Sequence, residues 1–285
     1  MSPRSLRRYS LLVFVALALA AVLAFAACKD DKKEAGETPS AGEIDISGVP
    51  ELQDGVITAG SDIAYAPFEF YIEGTETADG LDVDIAKAIA EALGVEIEFV
   101  NSPFDTIRDA LNTNEFDIVI SAMTITPERE QEVDFVPYLS VGTGILVPAG
   151  NPEGIQGLDD LCGLTVAVQL GTIQETMIDD QNAQCDEPIE KVTFDTNPLA
   201  VQDLRTGGAD ANLSDFPVAS LDSQESEGEL DVVQTQIAPD PYGIAVRKGS
   251  TELKAVLEQA LQAIMDSGEY DNILTKWDLS STALP

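Results

Sequence analysis

The sequence predicts an α/β protein built as two similar lobes. Three observations predict it. Strand-like and helix-like segments alternate along most of the chain, the pattern of lobes with largely parallel sheets. Two stretches, at 81–93 and 253–264, carry apolar residues at helical spacing. Four residues, Leu111, Thr113, Asp117 and Ser121, recur as Leu204, Thr206, Asp210 and Ser214 at a constant offset of 93. Each set reads as a helix end, a turn and a strand finishing in serine. Open α/β sheets bind small molecules beyond the carboxyl ends of their strands, so two such ends in facing lobes would make a cleft.

The elements follow in order from Val56. Leu81, Ile85, Ile89, Ala92 and Leu93 form a helical stripe, closed by Gly94. Val95, Ile97 and Phe99 alternate with Glu96 and Glu98, which is a strand. Phe104, Ile107 and Leu111 make one face of a short helix. Ile118 to Ile120 is a β-branched run that suits a buried parallel strand. Thr126 and Pro127 offer an N-cap and a proline at the first helical position. A second series begins with a strand from Leu164 to Gln169 and a helix from Thr172. A strand from Val192 to Phe194 follows, and Asn197-Pro198 caps a further helix. Leu253, Val256, Leu257, Ala260, Leu261 and Ile264 give the clearest amphipathic stripe, and Gly268 stops it.

Composition narrows the function. With 44% hydrophobic residues in a chain of 285, a folded core is expected. The chain has 51 acids against 15 bases, a formal charge of -36. That excess speaks against nucleic acid as a partner, because a phosphate backbone needs a basic surface. It also repels itself unless salt or low pH relieves it, so saline or acidic surroundings are one reading and ordinary solubility the other. There is no histidine, which removes imidazole metal sites and the commonest general base. No metal, cofactor or catalytic residue is expected.

The N-terminus reads as a targeting segment. Arg4, Arg7 and Arg8 precede an apolar run from Leu11 to Ala27, and Cys28 follows Phe25-Ala26-Ala27. Small residues followed at once by cysteine resemble a lipoprotein box. That resemblance implies a signal peptide over 1–27, lipidation of Cys28 and anchoring of an extracytoplasmic chain to the cell membrane. An uncleaved membrane anchor is the alternative. The polar, Gly- and Pro-containing stretch 28–50 reads as a flexible tether. Export leaves Cys162 and Cys185 in an oxidising compartment, where they are expected to pair or to remain two buried thiols.

Five motifs then carry a specific resemblance. They are Ala59-Gly60-Ser61-Asp62-Ile63-Ala64-Tyr65-Ala66-Pro67-Phe68-Glu69-Phe70, then Gly80-Leu81-Asp82-Val83-Asp84, then Ser121-Ala122-Met123-Thr124-Ile125-Thr126-Pro127-Glu128-Arg129, then Val168-Gln169-Leu170-Gly171-Thr172, and finally Leu213-Ser214-Asp215. In this order they resemble the family 3 bacterial extracellular solute-binding proteins, over roughly Val56 to Leu279. The resemblance implies a type II periplasmic-binding-protein-like fold, with two lobes joined by a two-strand hinge. Lobe 1 would comprise 51–143 and 242–285, and lobe 2 would comprise 144–241. The hinge is expected near Val141 to Ile145 and Asp240 to Tyr242. The implied guest is a small polar amino acid, basic or amide side chains being favoured. The implied partners are the membrane permease and ATPase of an ABC importer, and a monomer is expected.

Charge chemistry selects the same residues. A zwitterion needs a cation for its carboxylate and an anion for its ammonium. Arg129 opens a helix, a poor place for a cation unless an anion sits nearby, and its planar guanidinium can grip a carboxylate. A surface arginine is the plainer reading. Thr172, after Gly171, can add a helix N-terminus and a hydroxyl, or simply cap its helix. Asp215 is the choice for the ammonium, or a helix cap. Ser121 and Thr124 can bond through hydroxyl or backbone, and Ala122 only through the main chain. By resemblance, Tyr65 and Phe104 form an aromatic clamp, though Phe104 also fits core packing, and Asp62 meets the guest's side chain. Gln169 and Gln174 contact a polar tail or face solvent. The rivals are a cyclohexadienyl dehydratase-like enzyme on the same fold and a ligand-sensing module for a receptor.

Overall fold

Strand β1 (Val56–Ser61) starts the first lobe at its centre, with Ile57 and Ala59 fully buried. The computed structural model describes residues 44–233 and 236–284. The lipidation expected at Cys28 falls outside them. Ile44, Ile46 and Val49 pack on the first lobe's core, so the part of the expected tether from Ile44 to Pro50 belongs to the folded body. Their apolar side chains explain this, since burying them outweighs leaving so short a segment free.

A small antiparallel sheet follows, formed by β2 (Ala64–Tyr65), β3 (Glu69–Tyr71) and β4 (Ala78–Asp79). Helix α1 (Leu81–Leu93) then begins hard against β3. Gly80 permits this, because a Cβ there would run into the Phe68 carbonyl. Gly94, at φ 71°, ends the helix with its N–H on the Ala90 and Glu91 carbonyls. Strand β5 (Glu96–Asn101) pairs in parallel with β1, and β6 (Ile118–Val119) pairs with its other edge. Helix α2 (Ile107–Asn112) lies between them. Phe104 is in the turn before α2 and not on the helix itself, because Pro103 sets that turn. Thr126 caps as expected, its hydroxyl accepting from the Arg129 N–H at 3.2 Å. The regular helix α3 (Arg129–Glu132) begins only there.

The long strand β7 (Val133–Pro148) leaves the first lobe and enters the second. There β8 (Thr165–Gln169) is flanked in parallel by β9 (Glu190–Phe194) and β10 (Ala211–Asp215). Helices α4 (Ile173–Asn182), α5 (Asn197–Arg205) and α6 (Phe216–Glu225) alternate with them, and β11 (Leu230–Val232) closes the edge beside β7. The chain returns along β12 (Ile237–Arg247), antiparallel to β7, with Asp240 opposite Val141 and Tyr242 opposite Leu139. It ends in α7 (Thr251–Ser267) and α8 (Glu269–Lys276), which cover the first lobe. The crossing is therefore a strand pair much longer than the short segments expected, with its register broken between Ile237 and Asp240 and again between Tyr242 and Gly243.

The core divides as the lobes do. Ile57, Leu81, Ile85, Ile89 and Leu257 share one cluster, while Ile145, Val166, Val168, Ile178 and Leu213 share another. Cys162 and Cys185 are bonded, Cα to Cα 5.4 Å, tying the turn before β8 to the end of α4.

The sequence repeat is a structural repeat. Leu111 and Leu204 are buried at the ends of α2 and α5. Thr113 and Thr206 follow, each hydroxyl donating to carbonyls one turn back. The Asp117 carboxylate accepts from the Thr58 N–H at 2.9 Å, and Asp210 does the same for Thr165 at 2.9 Å. The serines differ in place: Ser121 lies past the end of β6, whereas Ser214 sits inside β10.

Candidate functional site

The carboxyl ends of β1 and β6 in one lobe face those of β8 and β10 in the other. Asp62 follows β1, Ser121 follows β6, Gln169 ends β8 and Asp215 ends β10. All ten residues expected at a site line a single cavity between the lobes, together with Glu69 and Gln174.

Four hydrogen bonds join the lobes across it. Tyr65 donates its hydroxyl to Asp215 Oδ2 at 2.8 Å and accepts from the Asp215 N–H at 3.0 Å. Gln169 Nε2 donates to Asp62 Oδ2 at 2.6 Å. Arg129 donates through one terminal nitrogen to the Thr124 carbonyl at 2.7 Å and through the other to the Gly171 carbonyl at 3.1 Å. Gly171 and Asp105 are in close contact, since a Cβ on Gly171 would come within 2.8 Å of Asp105 Cα. The lobes are thus shut on one another, and the cavity between them is about 20 Å³, near the volume that admits one water. An amino acid enters only if the lobes part.

Arg129 is 6% exposed, yet among the described residues no carboxylate lies within ion-pair distance of it. Its partners are carbonyls, with the Phe104 ring 5.4 Å from the guanidinium carbon. Burial, and then the charge of Arg108, lower its pKa to about 10, so it stays cationic at neutral pH. Facing it, Asp215 is the first residue before α6 but makes no capping bond there; its carboxylate turns into the cavity. Burial pushes Asp215 up to about 6, against the hydrogen bonds it accepts from neighbours that include Tyr65 and Gln174. Asp62 also rises to about 6, chiefly from burial. The cavity therefore holds one cation and an excess of acids, each charge desolvated and incompletely answered by the protein.

Several expectations are refined by the geometry. Gln169 and Gln174 do not face solvent; both are buried and hold Asp62 and Asp215. The Thr172 hydroxyl donates to the Gln169 carbonyl and accepts from the Glu175 N–H, which leaves the helix N-terminus rather than the hydroxyl for a guest. The Ala122 N–H is taken by Asp82 at 2.7 Å, so a main-chain contact there would have to use the carbonyl. The Ser121 hydroxyl is committed as well, donating to Glu69 at 2.8 Å and accepting from the Asp62 N–H at 2.9 Å. Phe104 both lines the cavity and packs with Ile107 and Leu111, so its two readings hold together. Glu69 itself was not expected. An acid between Phe68 and Phe70 in a two-faced strand is the signal that marks it.

Fold and cavity define a two-lobed α/β protein with a polar binding cleft between its lobes. The chain belongs to the bacterial extracellular solute-binding proteins, family 3, whose family model matches residues 57–280. The arginine-binding protein ArgT of Corynebacterium glutamicum is 33% identical over 83% of this chain and 79% of its own. A solved structure of an ancestral arginine-binding protein bound to arginine is 38% identical, covers 78% of this chain and 98% of its own, and superposes with a TM-score of 0.74. A second ancestral amino acid-binding protein, a precursor of cyclohexadienyl dehydratase, is also 38% identical, with a TM-score of 0.73 over 80% of this chain and 97% of its own. Among the described residues no helix is long and apolar enough to cross a membrane.

Proposed function

We propose that this chain captures a cationic amino acid of the arginine type for an ABC importer, and that the ten cavity residues are its binding site. The observation that carries the reading is Arg129: a buried guanidinium bonded only to carbonyls, in the same cavity as the buried carboxylates of Asp215 and Asp62. A zwitterion answers both signs. Its carboxylate takes Arg129 and the N-terminus of α4 behind Thr172. Its ammonium takes Asp215. Tyr65 and Phe104 flank the side chain, and Asp62 with Gln169 meets the distal cation. The similarity to arginine-binding proteins supports the same class of guest.

Binding of one guest to both lobes favours the shut form over the open form. Residues 51–143 with 242–285 would move against 144–241, β7 and β12 bending at their crossing. The segment 1–27 would be removed on export and Cys28 lipidated, leaving a monomer anchored at the outer face of the membrane beside the permease. The chain acts as a carrier and not as an enzyme in this reading. A dehydratase would instead release a keto acid from prephenate or arogenate.

The test is calorimetry with L-arginine on the wild type and Arg129→Ala. Removing one partner of a desolvated charge pair costs about 2–5 kcal/mol, so affinity falls at least about thirty-fold while the thermal unfolding of the free protein stays cooperative. Equal affinity in the two proteins would overturn the assignment.

A further inference from the structure

Beneath the cavity lies a pair of acids that the reading above leaves unused. Glu69 on β3 and Asp82 in the first turn of α1 are 1% and 0% exposed. Asp82 Oδ2 accepts from the Tyr138 hydroxyl at 2.6 Å and from the Ala122 N–H at 2.7 Å. Glu69 Oε1 accepts from the Ser121 hydroxyl at 2.8 Å. The remaining oxygens, Glu69 Oε2 and Asp82 Oδ1, are buried and find no donor among the described residues, and the two side chains are held on consecutive residues, Ser121 and Ala122. Two buried carboxyl groups held this close do not both ionise; a proton carried by the pair is the donor that satisfies both. The charged groups that act on the pair from neighbouring elements, Asp62 beyond β1 and Asp215 at the end of β10, are negative. Tyr138 on β7 is neutral, its own ionisation pushed well up by burial. Burial raises both carboxyls of the pair.

We propose that Glu69, through a proton shared with Asp82, is a specificity-determining residue of the cavity: a cationic side chain displaces that proton, and a neutral side chain leaves it in place. The step is an acid–base exchange. The O–H bond of the shared proton breaks, both electrons stay on the carboxylate, and the proton leaves to bulk water before the lobes shut. Trading one positive charge for another keeps the net charge of the closed, desolvated cavity constant, and a neutral guest keeps it constant by trading nothing. Glu69 is the member of the pair that lines the cavity, so the freed charge faces the guest.

The inference rests on the amino-acid reading of the cavity, and its test separates the two. Calorimetry with L-arginine and L-glutamine at pH 7, in phosphate and in Tris, counts protons from the difference in buffer ionisation heat. About one proton is released per arginine bound and none per glutamine. In Glu69→Gln, whose amide can accept from Ser121 and donate to Asp82, the release disappears and the preference for arginine over glutamine drops at least tenfold. Arginine bound without proton release overturns the proposal while leaving the cavity reading intact. Binding of neither guest overturns the cavity reading, and the pair is then judged on the free protein. At pH 8, where Asp62, Asp215 and Asp222, each at about 6, are ionised, infrared spectroscopy of the wild type shows a protonated-carboxyl carbonyl band that Glu69→Gln lacks. Absence of that band in the wild type overturns the proton-sharing pair.

Discussion

A buried charge without a protein counter-ion is the residue-scale signature of this site, and it has a measurable consequence in the free protein. Asp62 and Asp215 titrate at about 6 when folded, against an ordinary 3.8. The folded chain therefore takes up protons at a pH where the unfolded chain does not. Stability is gained as pH falls through about 6 and lost as it rises, by up to about 3 kcal/mol per group. Thermal unfolding should show a higher midpoint at pH 5.5 than at pH 7.5, with a smaller rise in Asp215→Asn; an undiminished rise in that variant would show that general surface charge alone is responsible. Arg129 and Asp215 were legible in the sequence because a cation at a helix start and an acid at a strand end each invite a guest of opposite charge, and Asp62 through the resemblance its motif carries. Asp82 was not, because an acid in the first turn of a helix is ordinarily explained by the helix dipole, with its side chain in water. Only the packing of β3 and β7 around α1 reveals that it is buried.

At the scale of elements, alternation and capping carried most of the fold. The helix 81–93 and its Gly94 stop stand as expected, and so does the repeat that relates the Asp117 and Asp210 turns. What pattern could not convey was the length of β7 and β12, since a strand shared by two lobes is buried first on one side and then on the other and shows no single alternation. The small sheet β2–β4 escaped for a related reason: strands of two or three residues have no period to read. Closure itself is tested at Gly171. This residue has φ 78° and touches Asp105 of the opposite lobe. Gly171→Ala adds a methyl group where the lobes meet and a strained backbone besides, so small-angle scattering should show the radius of gyration falling less on adding arginine than it does in the wild type. An identical contraction would mean that the lobes do not meet there.

At the scale of the whole molecule the dominant fact is charge. With 51 acids and 15 bases, single lysines serve two acids each: Lys191 reaches Glu175 and Asp179, and Lys276 reaches Asp79 and Asp84. Raising salt from about 0.1 M to 1 M shortens the screening length from about 10 Å to about 3 Å, which relieves the remaining repulsion. The unfolding midpoint should therefore climb with sodium chloride; a flat response would leave the acidity with no energetic role in the fold. Screening reaches the buried cavity far less, so arginine binding should weaken little over the same range. The central claim is that the cleft holds a guest by both of its α-charges, and the most direct measurement cuts those charges from the guest. Calorimetry would compare L-arginine with agmatine, which lacks the carboxylate, and with 5-guanidinopentanoate, which lacks the ammonium. Each loss leaves Arg129 or Asp215 buried and unanswered, so both truncated guests should bind at least about a hundredfold more weakly. Agmatine or 5-guanidinopentanoate binding as tightly as arginine would contradict the account.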